Sequence, residues 1–154
     1  MNKLRLVTLF NQRLHDEISI TRQMRIQIKD FDGFHLSLSA PIVSNCNDKR
    51  TAFAGSLYSA CVLSGWSLVT LILEKENLSA DVMVYKSNIN NIRPVYGDIV
   101  ARSNPLEEVT VRNFVDEYYR NAKAKIEVSV SIYDPGGAAV EFAGKYVAIK
   151  RIHN

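Results

Sequence analysis

Thr51-Ala52-Phe53-Ala54-Gly55-Ser56-Leu57-Tyr58-Ser59-Ala60-Cys61-Val62-Leu63-Ser64-Gly65-Trp66-Ser67-Leu68-Val69-Thr70-Leu71-Ile72-Leu73 runs through the middle of the chain without one charged residue. A bilayer crossing takes about 20 apolar residues, and Lys49-Arg50 before the run and Glu74-Lys75 after it would serve as flanks. Serines, threonines and glycines dilute the run, however, and the segments on both sides pattern as strands that need a helix as their core. On helical spacing Ser56, Ala60, Ser64 and Ser67 fall along one stripe, and Tyr58, Val62, Trp66, Val69 and Leu73 along another. Small residues let a curved sheet come close, and large ones fill the space that remains. The run is read as a helix from about Gly55 to Glu74 wrapped by a sheet, not as a membrane span.

The flanks supply that sheet. Met24-Arg25-Ile26-Gln27-Ile28-Lys29 alternates apolar and polar side chains, Asp32-Gly33 turns, and His35-Leu36-Ser37-Leu38-Ser39 alternates again up to Ala40-Pro41. Asp81 to Arg93 is β-rich but too long for an ordinary strand, which predicts a bend or bulge. Arg93-Pro94-Val95-Tyr96-Gly97-Asp98 reads as a turn and Ile99 to Ser103 as the returning strand. The connector from Leu106 to Asn121 holds a short helix over Val109 to Tyr119. Lys125 to Ile132 alternates strictly, Asp134-Pro135-Gly136-Gly137 turns it, and Val140 to Lys150 comes back antiparallel. An amphipathic helix over about residues 1–17 opens the chain; polar Asn11-Gln12-Arg13 ends its apolar stretch too early for a signal peptide. The order predicts a single α+β domain over 1–154.

With 154 residues the chain can bury a substantial core. A formal charge of +3, with no arginine run interleaved with aromatics, argues against nucleic acid. Cys46 and Cys61 give neither a disulfide framework nor a metal spacing, and His15, His35 and His153 form no ligand motif. A reducing cytoplasm follows as the expected setting.

Immediately before the apolar helix stands the polar cluster Asn45-Cys46-Asn47-Asp48-Lys49-Arg50. Helix-end amides, an adjacent carboxylate and apolar walls suit a reaction at a carbonyl that bears a greasy substituent. Asp48, the carboxylate of the cluster, can activate water as a base or attack as a nucleophile; its structural alternative is a turn residue paired with Lys49 or Arg50. Asn47 can hold the water or the carbonyl, or simply cap the loop. Gly55 lets a carbonyl reach backbone N–H groups at the helix start, though close packing of helix on sheet explains a glycine equally well. Phe53, Leu57, Tyr58, Val62 and Trp66 line either an acyl pocket or the core. Cys61, with no histidine in an interpretable relation to it, reads as an inert buried thiol.

Asn47-Asp48-Lys49-Arg50-Thr51-Ala52-Phe53-Ala54-Gly55-Ser56-Leu57, continuing to Gly65-Trp66, resembles the thioesterase family found as the C-terminal domain of YiiD-like acetyltransferases. The segment Arg93 to Ala101 is similar to the turn and strand that follow the central helix in hotdog thioesterases. The resemblance implies a hotdog fold and an acyl-thioester hydrolase acting on acyl-CoA or an acyl carrier protein, with coenzyme A only as part of the substrate and no separate cofactor. It implies catalytic roles for Asp48, Asn47 and Gly55, and substrate contacts from Phe53, Ala54, Tyr58, Asn88, Asn90 and Arg93. Arg93, Arg102 and Lys145 are candidates for coenzyme A phosphates. Two departures stand out. Positions near Ala60, Cys61 and Val62 hold no carboxylate where many relatives carry theirs, and Phe53-Ala54-Gly55 replaces a His-Gly-Gly helix start. A non-catalytic acyl-thioester binding module is therefore the alternative, and membership of an acetyltransferase assembly a third reading. A homodimer or dimer of dimers is expected, because one hotdog leaves a sheet edge open, with Asp48 approaching the partner's strands near Asn88 to Asn91.

Overall fold

The computed structural model describes residues 2–151; His153 lies outside them. Helix α1 (Lys3–Glu17) starts on Asn2, whose side chain accepts the Arg5 N–H, and a one-turn helix α2 (Ile20–Gln23) follows. Strands β1 (Gln27–Phe31) and β2 (Leu36–Ala40) lead through a short 3-10 turn to α3 (Ala54–Lys75). Then come β3 (Ala80–Asn91), β4 (Ile99–Ser103), α4 (Glu108–Asn121), β5 (Lys123–Asp134) and β6 (Gly137–Lys150). The strand expected from Met24 begins only at Gln27: Met24 and Arg25 close the turn after α2, with Arg25 in the left-handed region at φ 55°.

All pairings are antiparallel, in the order β1-β2-β4-β5-β6-β3, so β1 and β3 are the edges. The concave face carries Leu36, Leu38, Ile99, Ala101, Val128, Val130, Ile132, Phe142 and Tyr146, all buried, and α3 lies against it. Ser56, Ala60, Ser64 and Ser67 are buried on α3 along the small-residue stripe, and Leu68, Val69, Leu71 and Leu73 fill the core around them. Each such large side chain contributes about 1.5–3 kcal/mol through burial. In the most apolar window of α3, 78% of the residues are buried, so the long uncharged run is the core helix of this sheet.

Two close approaches fix the helix on the sheet. The Tyr146 hydroxyl donates to the Val62 carbonyl inside α3 at 2.7 Å, and its ring occupies the space a side chain at Gly65 would need. On the open side of the helix, α1 covers Trp66 through Phe10, ring centroids 6.0 Å apart, and Arg13 ties α1 to Glu74 at 2.6 Å. The Trp66 indole N–H donates to the Val82 carbonyl of β3.

The bulge expected in the long strand falls at Tyr85, where the pairing passes from Val84↔Tyr146 to Lys86↔Lys145. Val82 and Val84 face α3, but beyond the bulge Ser87 and Ile89 do so, opposite Gly144 and Phe142. One extra residue has exchanged the two faces.

Candidate active site

The polar cluster folds into a loop that Asn47 holds together. Its side-chain oxygen accepts the N–H groups of Lys49 at 2.9 Å and Thr51 at 3.1 Å, and its amide donates to the Thr51 hydroxyl at 2.9 Å. Cys46 bridges to Ala52, and Arg50 occupies the left-handed region at φ 61° to close the loop. Asp48 therefore stands at the tip, its side chain 79% exposed, with both carboxylate oxygens on the neighbouring Lys49 ammonium at 2.9 and 3.0 Å.

Asn45 secures the loop to the body, a role the sequence did not disclose. It is buried; its side-chain amide donates to the carbonyls of Met24 and Pro41, and its backbone carbonyl accepts the Phe53 N–H at 2.8 Å. Ala52 N–H donates to the Val95 carbonyl, so the turn before β4 braces the entry to α3 from the other side.

Helix α3 begins at this junction without a side-chain cap, because Phe53 at the capping position has no oxygen to offer. Its first-turn amides, those of Ala54, Gly55 and Ser56, precede the first helical bond, from Leu57 N–H to the Phe53 carbonyl. The helix dipole concentrates partial positive charge there. Phe53 is 54% exposed and folds back over Gly55, where a Cβ would lie 2.4 Å from its ring. One turn on, Tyr58 is 38% exposed, shares a 2.7 Å hydrogen bond with Ser87 of β3 and meets Phe142 edge to face. A surface of two aromatic rings thus flanks the uncapped helix end, beside the open edge of β3. Ser87 becomes visible as a member only once the bulge turns it inward.

Cys61, a turn further in, is fully buried, and burial pushes its thiol up to about 12. Burial also raises the Tyr146 hydroxyl, with smaller contributions from nearby Cys61 and Tyr58. Neither group ionises at neutral pH. Among the described residues no three His, Cys, Asp or Glu side chains converge as a metal site would require.

Other expected contacts lie elsewhere. Arg93 sits at the same end of the sheet but reaches Asp134 at 3.5 Å, over the β5–β6 turn. Asn88 and Asn90, with Arg102 and Lys145, are on the convex face, opposite to Tyr58 and Ser87. The five clefts that stand out on the single chain, of about 230–430 Å³, are lined away from Asp48 and Gly55.

A long apolar helix swallowed by six antiparallel strands, its uncapped start opening at a sheet edge, is the hotdog architecture of thioesterases. Residues 7–150 match the family described as putative thioesterase (yiiD_Cterm), and the chain belongs to it. A protein of unknown function from Chlorobaculum tepidum is 34% identical, with a TM-score of 0.90 and 97% of each chain covered. A putative thioesterase from Shewanella oneidensis is 28% identical with a TM-score of 0.83, covering 94% of this chain and 98% of its own. A thioesterase from Haemophilus influenzae shares the fold at 15% identity and a TM-score of 0.73, covering 96% of this chain and 93% of its own. The protein is a member of the thioester hydrolases in general terms.

Proposed function

We propose that the chain hydrolyses acyl thioesters of coenzyme A or an acyl carrier protein at the start of α3, and that it does so in the cytoplasm as a homodimer or dimer of dimers. The observation that carries this reading is the uncapped helix end with Phe53 and Tyr58 beside it: amides for an oxyanion and apolar surface for an acyl group, at one place.

The acyl carbonyl oxygen lies on the first-turn amides of Ala54 and Gly55, flanked by the exposed Phe53 ring, which occupies the space beside Gly55 and swings aside to admit it. Asp48 removes a proton from water as the water oxygen bonds to the carbonyl carbon, and the carbonyl oxygen takes the negative charge at the helix end. Collapse restores the carbonyl and breaks the C–S bond; the proton on Asp48 passes to the departing thiolate. Asn47 has used one amide hydrogen on Thr51, and the other is free to hold the water or the carbonyl. Direct attack by the Asp48 carboxylate is the covalent variant of the same scheme.

Dimerisation through the open edge of β3 supports the geometry, since a twofold axis across an antiparallel edge brings the Asn91 end of one strand beside the Ala80 end of the other. The helix start of one protomer then faces its partner. The ion pair between Asp48 and Lys49 and the buried thiol at Cys61 favour the alternative, a binding module without turnover.

A panel of acyl-CoAs assayed for thiol release decides between the two. Hydrolysis is expected, with Asp48→Asn lowering kcat by about 100-fold or more while fold and binding persist. Saturable binding without release at any chain length refutes catalysis; wild-type turnover in Asp48→Asn removes Asp48 from the mechanism.

A further inference from the structure

The bulge at Tyr85 decides what the convex face carries. Beyond it Lys86, Asn88 and Asn90 stand opposite Lys145, Ala143 and Glu141, all pointing away from α3. On β5 the same three rows continue to Glu127, Ser129 and Ser131, and Arg102 extends the last onto β4. Successive rows are about 7 Å apart, two residues at roughly 3.4 Å each.

One row is cationic. Lys86 and Lys145 are direct cross-strand neighbours, with Glu127 beyond Lys145, and the Lys125 ammonium stands 5.0 Å over the Tyr85 ring on the same face. Among the described residues, none of these three lysines has a carboxylate within ion-pair distance. Like charges directly opposite each other weaken a sheet, and Glu127, beside Lys145 in the same row, offsets one of the two and leaves the row net positive. The next two rows form a cleft of about 430 Å³, floored by Ala143 and walled by Asn88, Asn90, Asn104, Ser129, Ser131 and Glu141. Its walls offer amide and hydroxyl groups with one carboxylate acceptor.

We propose that this convex face binds a phosphate-bearing ligand of the nucleotide class, the phosphate between Lys86 and Lys145 and the hydroxyl- and amide-bearing remainder in the adjoining cleft. Glu141 accepts from ligand hydroxyls, and Asn88 and Asn90 pair with amide or ring groups. A free nucleotide and the nucleotide end of a coenzyme A thioester share this chemistry; the second source rests on the thioesterase reading above.

The test is isothermal titration with adenosine 3′,5′-bisphosphate, and with inorganic phosphate in parallel, on the wild-type protein and on Lys86→Gln/Lys145→Gln, both checked for fold by circular dichroism. Saturable nucleotide binding is expected, weakened about tenfold or more by the double substitution, since two charge-assisted contacts are lost. Inorganic phosphate should bind more weakly with the same dependence. Nucleotide binding that is absent, or that survives the substitution undiminished, overturns the proposal. Turnover then names the source: a higher KM for acyl-CoA but not for the matching acyl-pantetheine assigns the site to the substrate, and unchanged values for both assign it to a separate nucleotide. The titration reads the site even if no thioester is hydrolysed, so failure of either reading is visible apart from the other.

Discussion

Replacing Gly65 by alanine should destabilise the protein, although alanine is the better helix former. In an open helix the exchange would stabilise by about 1 kcal/mol. Here a Cβ would lie 2.3 Å from the Tyr146 hydroxyl oxygen and 2.6 and 2.7 Å from two of its ring carbons. The ring has little space to retreat, because a Cβ at Gly144 would stand only 2.7 Å from it. Overpacking of this kind costs about 1–3 kcal/mol. Displacing the hydroxyl from the Val62 carbonyl strands a buried polar group at about 1–3 kcal/mol more. Mid-range values less the propensity gain leave a net loss of about 3 kcal/mol, or a fall of about 6–12 °C in Tm. Urea unfolding followed by Trp66, the one tryptophan of the chain, measures it. In a Tyr146→Leu background the same alanine should be neutral or stabilising. Equal destabilisation in both backgrounds, or none in either, would refute this account of the helix–sheet contact.

Asn47→Ala should cost about 1–3 kcal/mol by releasing the loop amides it holds, and should lower turnover with stability, unlike Asp48→Asn; denaturation and kinetics on the same samples compare them. Tyr58→Phe removes one half-exposed hydrogen bond to Ser87, so a change of about 1 kcal/mol or less is expected in urea midpoints. A thiol reagent at pH 8 should label Cys46 at once and Cys61 only after denaturant, counted by mass spectrometry. Because the folded Cys61 thiol is raised from its usual value to about 12, its contribution to stability is complete below the usual thiol range and is lost as pH climbs towards 12. Alkaline unfolding should therefore ease in Cys61→Ala, if the cavity cost is measured separately at neutral pH. Light scattering at micromolar concentration should give at least a dimer mass; a monomer contradicts the proposed assembly.

The uncharged run and the alternating flanks were enough to read the helix, its burial and the strands from Leu36 onward, because burial on one face imposes a period that side chains display directly. Turn chemistry was less visible. Nothing in Met24-Arg25 announces that Arg25 takes positive φ, so β1 seemed to start early. The site was harder for a similar reason. A bulge could be expected in Asp81–Arg93, but its position could not, and only its position decides that Ser87 faces Tyr58 while Asn88 and Asn90 turn outward. Asn45 gave no signal at all, since its partners are backbone carbonyls distant in sequence or in a loop. The pairing of Asp48 with Lys49, by contrast, was readable from adjacency alone.

The strand order has a consequence for how the chain is made. Among the described residues β3 pairs only with β6, the last of the six strands, and β5 also waits for β6 as its longest partner. While synthesis proceeds, α3 is complete long before the strands that cover much of it exist. The nascent protein must therefore carry an unclad greasy helix until β6 emerges, a period in which chaperone capture competes with aggregation. Closure of the sheet then depends on contacts far apart along the chain, which form slowly. Shortening β6 from its end should accordingly be punished at the ribosome more severely than the loss of a few edge contacts in the finished protein would suggest.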